Sequence, residues 1–174
     1  MEETIMRTKC VCVLITLSLS MICLGQDATV LRNELLILKQ LVGKTWIAES
    51  KDPTGQMTLH NLLKFEPIHN GKVLRIYMEC PELKFQSDGY YYYDPDKMEI
   101  AFLNLGSNGN FSAGNVKVED GKILHYGYVT FSDCKLEFRN TYEITREGQL
   151  LDKWFSFEDK EWKAGHSRVF IVKQ

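Results

Sequence analysis

The chain has 174 residues and a formal net charge of −2, from 21 basic and 23 acidic side chains. A nucleic-acid-binding protein usually has a strongly basic surface, and this chain has no excess of basic residues. We therefore expect no nucleic acid among its partners. The length suffices for one domain with a sizeable core, and no linker or repeat divides it.

The first 25 residues have the pattern of a secretory signal peptide. Arg7 and Lys9 precede an uncharged apolar run, CVCVLITLSLSMICLG, which is shorter than the roughly 20 residues of a membrane span. Cleavage after Gly25 leaves residues 26–174 as one mature domain. We therefore expect a secreted or periplasmic protein without a stable membrane span. The alternative is a retained N-terminal anchor.

Two cysteines, Cys80 and Cys134, remain in the mature domain, because the other three of the five lie in the leader. Exported proteins with two cysteines often pair them. A Cys80–Cys134 bridge would close a long loop and contribute about 4 kcal/mol if chain entropy dominates. The sequence therefore favours a disulfide, and two buried free thiols are the alternative.

A single helix is predicted at the start of the mature domain, over residues 28–42 (ATVLRNELLILKQLV). Asp27 precedes it as an N-cap, and Gly43 follows as the residue that ends it. Apolar residues recur at helical spacing along one side: Leu31, Leu35, Leu38 and Val42. We expect this short helix to close one end of the fold that follows.

Everything after Gly43 has the pattern of β-structure. Turn sequences such as DPTG, DPDK and EDGK recur every eight to a dozen residues, and they separate about ten predicted strands. The strands alternate apolar and polar residues, as KLEFRNTYEI does at 135–144, so each has one buried face and one wet face. A barrel hides the apolar faces and leaves no edges. The predicted fold is therefore all-β, a single antiparallel up-and-down β-barrel.

Asparagines interrupt the apolar faces of three predicted strands, at Asn61, Asn104 and Asn140. A buried amide without a partner costs about 1–3 kcal/mol, so a packed apolar core rarely contains several. The interpretation we favour is an interior cavity that holds water or a ligand. The alternative is that these asparagines lie at strand ends and face solvent.

Trp46 opens the first predicted strand, and WKAGHSRVFIVK (162–173) forms the last. His166, Arg168 and Phe170 share one face of that last strand. If the barrel closes, the first and last strands meet, and Arg168 is then predicted to lie over the Trp46 ring. A guanidinium on an indole contributes about 0.5–2 kcal/mol. Trp46 and Arg168 are therefore our candidates for barrel closure.

A helix followed by Gly43 and Trp46, with Arg168 on the last strand, resembles the calycin superfamily of lipocalins and fatty-acid-binding proteins. The Gly43-to-Trp46 spacing is one residue longer here than in the lipocalin form. The resemblance implies a barrel of calycin type that holds a small molecule in its interior.

Two other stretches, LVGKTW (41–46) and DGYYYYDPDKMEIAFLN (88–104), are more similar to nitrobindin and to a group of bacterial lipocalin-like proteins. In that group a G-x-x-x-Y-D turn precedes a strand. Gly89, Tyr93 and Asp94 match this turn, with Gly89 one position farther back.

The similarity to nitrobindin implies a possible haem site, because nitrobindins hold ferric haem through a histidine on a late strand. His166 lies on the last predicted strand and is the matching residue of this chain. The alternative is a strand histidine that is hydrogen-bonded or wet. The sequence has no haem-specific motif, so we expect no cofactor and keep haem as the alternative.

Aromatic and polar side chains on the predicted strands give the candidate ligand-binding set. Tyrosine has an apolar ring and a polar tip and suits a mixed pocket, although cross-strand aromatic pairing explains some tyrosines equally well. Arg75 or Arg168 is available for an acidic head group, and His125 faces either the cavity or solvent. The candidate ligand-binding residues are Asn61, Arg75, Tyr77, Tyr92, Asn104, Tyr126, Phe138, Asn140, Tyr142, His166 and Arg168.

The sequence shows no signature of catalysis. It has no G-x-S-x-G motif, neither mature cysteine has a neighbouring base, and the four histidines lack metal-ligand spacing. We therefore expect neither an enzyme nor a metal site. Three functions remain: a carrier of a small hydrophobic or amphipathic molecule, a haem protein with His166 as iron ligand, and a filled barrel without a ligand.

Overall fold

The computed structural model describes residues 30–132 and 134–174, so the predicted signal peptide at 1–25 lies outside the described residues. Ten antiparallel strands form one closed barrel, which confirms the predicted fold class. In chain order the strands are β1 (Thr45–Lys51), β2 (Thr58–Ile68), β3 (Val73–Cys80), β4 (Phe85–Asp94), β5 (Glu99–Gly106), β6 (Phe111–Glu119), β7 (Lys122–Phe131), β8 (Cys134–Ile144), β9 (Leu150–Glu158) and β10 (Glu161–Val172).

Each strand pairs with the strand that follows it in the sequence, and β1 pairs with β10 to close the barrel. This up-and-down order arises because short turns can join only antiparallel neighbours. The first and last strands meet, as predicted, through the pairs Trp46–Val172 and Ile47–Ile171. The turns from β2 to β3 and from β3 to β4 contain short 3-10 helices, His69–Gly71 and Pro81–Leu83.

The N-terminal helix spans Asn33–Leu41 and is a 3-10 helix, so it is shorter than the helix predicted over 28–42. The predicted cap, Asp27, lies outside the described residues. The buried side chains of the helix, Leu35, Leu38 and Leu41, are three residues apart, which matches the three residues per turn of a 3-10 helix. The last buried residue is therefore Leu41, where Val42 was predicted. Gly43 has a φ of 75° and ends the helix as predicted. The buried leucines of this segment are Leu31, Leu35, Leu38 and Leu41.

The N-terminal helix closes the end of the barrel where β1 begins. Leu35, Leu38 and Leu41 pack in one buried cluster with Trp46 and Phe170. The indole Nε1 of Trp46 also donates a hydrogen bond to the carbonyl oxygen of Leu41, at 3.2 Å. Each fully buried leucine stabilises the fold by about 1.5–3 kcal/mol. No helix in the described part of the chain is long and apolar enough to cross a membrane.

Arg168 does not lie over Trp46, so the predicted stacking of these two side chains is wrong. Nζ of Lys44 lies 5.0 Å from the centroid of the Trp46 ring instead. Trp46 pairs with Val172, which lies four residues beyond Arg168 on β10, or roughly 13 Å away at the rise of a strand. Arg168 lines the barrel interior.

Cys80 and Cys134 are both free thiols, so the structure lacks the predicted disulfide. Cys80 ends β3 and Cys134 begins β8, and five strand steps separate these strands in either direction around the barrel. The two cysteines therefore lie on opposite walls, roughly 15 Å apart for a barrel of this size. A disulfide requires Cα atoms within about 7 Å of each other.

Candidate functional site

A cavity of about 470 Å³ occupies the part of the barrel opposite the N-terminal helix. This volume lies within the range of small-molecule sites. Its rim consists of side chains at the strand ends farthest from the helix, and three of these, Leu83, Phe111 and Phe131, are exposed apolar side chains. We call this open end the mouth. The barrel is thus sealed at one end and open at the other.

The alternation along the strands brings seven of the eleven candidate ligand-binding residues to the cavity wall. The asparagines on apolar faces do point inward, and Asn61 and Asn140 are buried. The amide of Asn61 donates a hydrogen bond to Oγ of Ser50 at 3.2 Å. The predicted residues that line the cavity are Asn61, Asn104, Phe138, Asn140, Tyr142, His166 and Arg168.

The other four candidates, Arg75, Tyr77, Tyr92 and Tyr126, lie on the outer face of the barrel and do not line this cavity. Arg75 forms an ion pair with Asp88 at 2.6 Å. Tyr77 donates a hydrogen bond to a carboxylate oxygen of Glu79 at 3.1 Å.

Tyr92 and Tyr126 are each 40% exposed. Side chains alternate across a strand, so these residues point outward where their neighbours, Tyr91 and His125, point inward. Both strands, β4 and β7, carry apolar or aromatic residues on both faces. The sequence alone therefore does not show which face points inward.

Tyr91 and His125 form a buried pair inside the cavity wall, although neither is among the predicted ligand-binding residues. The Tyr91 hydroxyl lies 2.6 Å from Nε2 of His125, and Nδ1 of His125 lies 3.3 Å from the carbonyl oxygen of Asn140. A carbonyl only accepts, so Nδ1 carries the proton, and Nε2 accepts the hydrogen bond from Tyr91.

Burial sets the charge of this pair. It lowers the pKa of His125 from its usual 6.5 to about 4. It also raises the pKa of Tyr91 well above its usual value of 10. Both side chains are therefore neutral near pH 7, and they present polarity without charge to the cavity.

The charged side chains that line the cavity, Asp152 and Arg168, lie deep in it on the adjacent strands β9 and β10. Tyr142, Asp152 and Arg168 are register partners on β8, β9 and β10. Burial and the neighbouring Asp152 carboxylate raise the pKa of Tyr142, so its hydroxyl keeps its proton. We call Tyr142, Asp152, His166 and Arg168 the polar floor.

Asp152 and Arg168 have unused bonding capacity in the polar floor. The Asp152 residue is 4% exposed, and one carboxylate oxygen, Oδ2, lies 3.1 Å from Nε2 of His166. Its other oxygen, Oδ1, has no hydrogen-bond partner among the described residues. Arg168 forms no ion pair within residues 30–132 and 134–174. The floor therefore offers a cation to a ligand.

Stacked rings form the cavity wall beside the polar floor. Phe138 and Trp154 stack with centroids 6.2 Å apart, and Trp154 stacks on His166 at 6.1 Å. A β-bulge in β10 lies between Ala164 and Ser167. His166 lies within this bulge and shares its inward face with Arg168 and Phe170.

His166 supplies one nitrogen that is free for a haem iron, Nδ1, because Nε2 is bonded to Asp152. Histidines that ligate metals commonly bond a carboxylate through their other nitrogen, so this pair fits such a role. No group of three or more His, Cys, Asp or Glu residues in the described ranges could hold a metal ion.

Neither a protein family model nor a curated protein sequence matches this chain. The closed ten-stranded antiparallel barrel is compatible with the calycin-like fold that the sequence resembles. A barrel fold does not by itself determine a function, which depends on the side chains of the cavity.

Proposed function

We propose that the protein is exported and carries a small hydrophobic or amphipathic molecule in the barrel. The observation that carries this proposal is the cavity of about 470 Å³, open at the mouth, apolar along much of its wall and charged at its floor. A filled structural barrel would have no such space. Apolar surface buried in the cavity supplies the affinity, at about 25 cal/mol per Å², and the role is binding rather than catalysis.

The distribution of side chains orients the ligand. Arg168 is the eighth of the twelve residues of β10 counted from the mouth, and Tyr142 is the ninth of the eleven of β8. An acidic head group would therefore reach the floor and receive hydrogen bonds from Arg168. The apolar part would extend past Val129 and Phe85 to the exposed apolar rim.

The test uses dansyl-undecanoic acid, a fluorescent amphiphile, and its methyl ester. We expect the acid to bind the mature protein with a rise in fluorescence. Arg168→Gln should weaken binding of the acid about tenfold or more, because a charge-assisted hydrogen bond contributes about 1.5–3 kcal/mol. The ester should bind both forms equally. Arg75→Gln is the matched control, because Arg75 lies on the outer face. If neither probe binds, the cavity is not a carrier site.

A haem protein is the second proposal, and the His166–Asp152 pair is the observation that favours it. Native mass spectrometry of the protein from its own host, with an absorption spectrum beside it, separates the two proposals. A haem mass with a Soret band that His166→Ala abolishes and His60→Ala retains would establish haem. A bound mass without a Soret band would support the carrier.

A further inference from the structure

The barrel closes through a weak seam between β1 and β10. These strands share two register pairs, Trp46–Val172 and Ile47–Ile171. The other nine neighbouring strand pairs share between six and ten each. One further backbone hydrogen bond, from Lys173 N to Thr45 O at 2.8 Å, lies at the sealed end. The pairing is thus confined to the end beside the N-terminal helix.

Beyond Ile47 and Ile171 both strands continue without pairing to each other. On β1 the unpaired residues are 48–51, and on β10 they are 161–170. Because β1 runs from the helix towards the mouth, this unpaired stretch joins the mouth. We call this unpaired stretch between residues 48–51 of β1 and the facing part of β10 the slit.

The charged part of the cavity lies beside this slit. Arg168 and His166 are on β10 itself, and Asp152 is on β9 next to it. On the other side, Asn61 of β2 is hydrogen-bonded to Ser50 of β1. The aromatic lining of β4 to β6 is on the far wall, at Phe85, Phe102 and Phe111. A polar head group entering by the slit would reach Arg168 without passing these three aromatic rings.

The existing bonds specify how the slit can close. Hydrogen-bonded pairs recur at every second residue of an antiparallel ladder. The Lys173–Thr45 bond therefore makes Glu49–Val169 and Lys51–Ser167 hydrogen-bonded pairs if the same register continues. The side chains of Glu49 and Val169 are both exposed. The two strands could therefore pair in this register without turning either side chain into the barrel.

We propose that the ligand enters through the slit between β1 and β10, and that the two strands then pair in this continued register over the filled cavity. This inference rests on the proposed carrier function. Closure would exchange exposed backbone groups for ladder hydrogen bonds, each contributing about 0.5–1.5 kcal/mol, and would slow release of the ligand.

A reversible cross-link tests the slit. Glu49→Cys with Val169→Cys, in a Cys80→Ala and Cys134→Ser background, places two cysteines at a pair whose Cα atoms would be about 5.5 Å apart on closure. The matched control is Leu151→Cys with Val169→Cys, because Leu151 and Val169 are already register partners on β9 and β10. Stopped-flow fluorescence then measures the binding and release of dansyl-undecanoic acid.

We expect oxidation of the Glu49→Cys/Val169→Cys variant to slow both association and release about tenfold or more, as for a locked gate, and reduction to restore them. The control should show equal rates in both states. Equal rates in the oxidised and reduced test variant would overturn the slit and leave the carrier function standing. Failure of the reduced protein to bind the probe would overturn both.

Hydrogen exchange tests the same inference in the unmodified chain and does not depend on the folding of a variant. Addition of dansyl-undecanoic acid should slow exchange of the amides of Glu49, Lys51, Ser167 and Val169 by about tenfold or more, since these amides would acquire ladder partners. Amides in the β7–β8 ladder, paired along its whole length, serve as the internal control. Unchanged exchange at the four amides of a saturated protein would refute closure.

Discussion

The ring of Trp154 lies nearly parallel to the ring of His166, with an interplanar angle of 10°. Gly165 makes this arrangement possible, because a Cβ atom at that position would lie 2.3 Å from Cε3 of Trp154. The glycine is required here for space. The close packing of Trp154 against Gly165 therefore lies next to the contact between His166 and Asp152.

Gly165→Ala should displace the Trp154 ring and break the stack. We expect a loss of about 1–3 kcal/mol in the free energy of unfolding, typical of overpacking, and weaker binding of dansyl-undecanoic acid. Urea denaturation and near-UV circular dichroism measure the two structural effects. Ser167→Ala, at an exposed position of the same bulge, should change neither. Native-like stability and an unchanged tryptophan signal in Gly165→Ala would show that the ring has room to move.

Tyr91→Phe should destabilise the barrel, because Nε2 of His125 would lose its hydrogen-bond donor in a buried place. The expected cost is about 1–3 kcal/mol, measured by urea unfolding at pH 7.5. Tyr92→Phe is the matched control, since Tyr92 is on the outer face of the same strand. Equal stability of the two variants would mean that water replaces the Tyr91 hydroxyl at His125.

The buried His125 should make stability fall as the pH falls from about 6.5 to about 4. Its pKa is about 4 in the folded protein and near 6.5 when exposed, so the unfolded chain binds the extra proton within this window. Stability therefore rises with pH across the window, by about 3 kcal/mol at most for one such group.

Urea unfolding at pH 4.5 and pH 7.5 measures this pH dependence. His125→Gln should reduce the difference between the two values, and His69→Gln, in the β2–β3 turn, should leave it unchanged. If the two variants show the same difference as the parent, His125 is not the group responsible.

The two thiols should react separately and at different rates. Cys134 is exposed and Cys80 is buried, and burial raises the pKa of the Cys80 thiol. A thiol reagent such as Ellman's should modify Cys134 quickly and Cys80 only on the timescale of opening, because the thiolate is the reactive form. Cys134→Ser should remove the fast phase. A Cys80–Cys134 peptide in a digest of the oxidised protein would contradict the structure.

The inward faces of several strands could be predicted because their alternation is clean. In β2, β5 and β8 each asparagine shares a face with apolar residues, so Asn61, Asn104 and Asn140 were placed correctly. In β4 the run Tyr90–Tyr93 has the same residue type on both faces. Only the register with the neighbouring strands decides which tyrosines point inward, and a single sequence does not contain that register.

Relations between distant parts of the chain were the other source of error. The separation of Cys80 from Cys134 depends on the number of strands between them, and the position of Arg168 relative to Trp46 depends on a stagger of four residues. Asp152 gave no signal, because an acidic residue between Leu151 and Lys153 resembles one on a wet face. Local pattern predicts the type of element well and its cross-barrel neighbours poorly.

The two ends of the barrel contribute unequally to the stability of the fold. Trp46, Leu38 and Phe170 are fully buried at the sealed end, whereas the rim side chains Leu83, Phe111 and Phe131 are exposed. Substitutions of the rim side chains should therefore cost the fold little stability. If the barrel carries a ligand as we propose, substitutions at the rim would change which ligand enters and leave the sealed end intact.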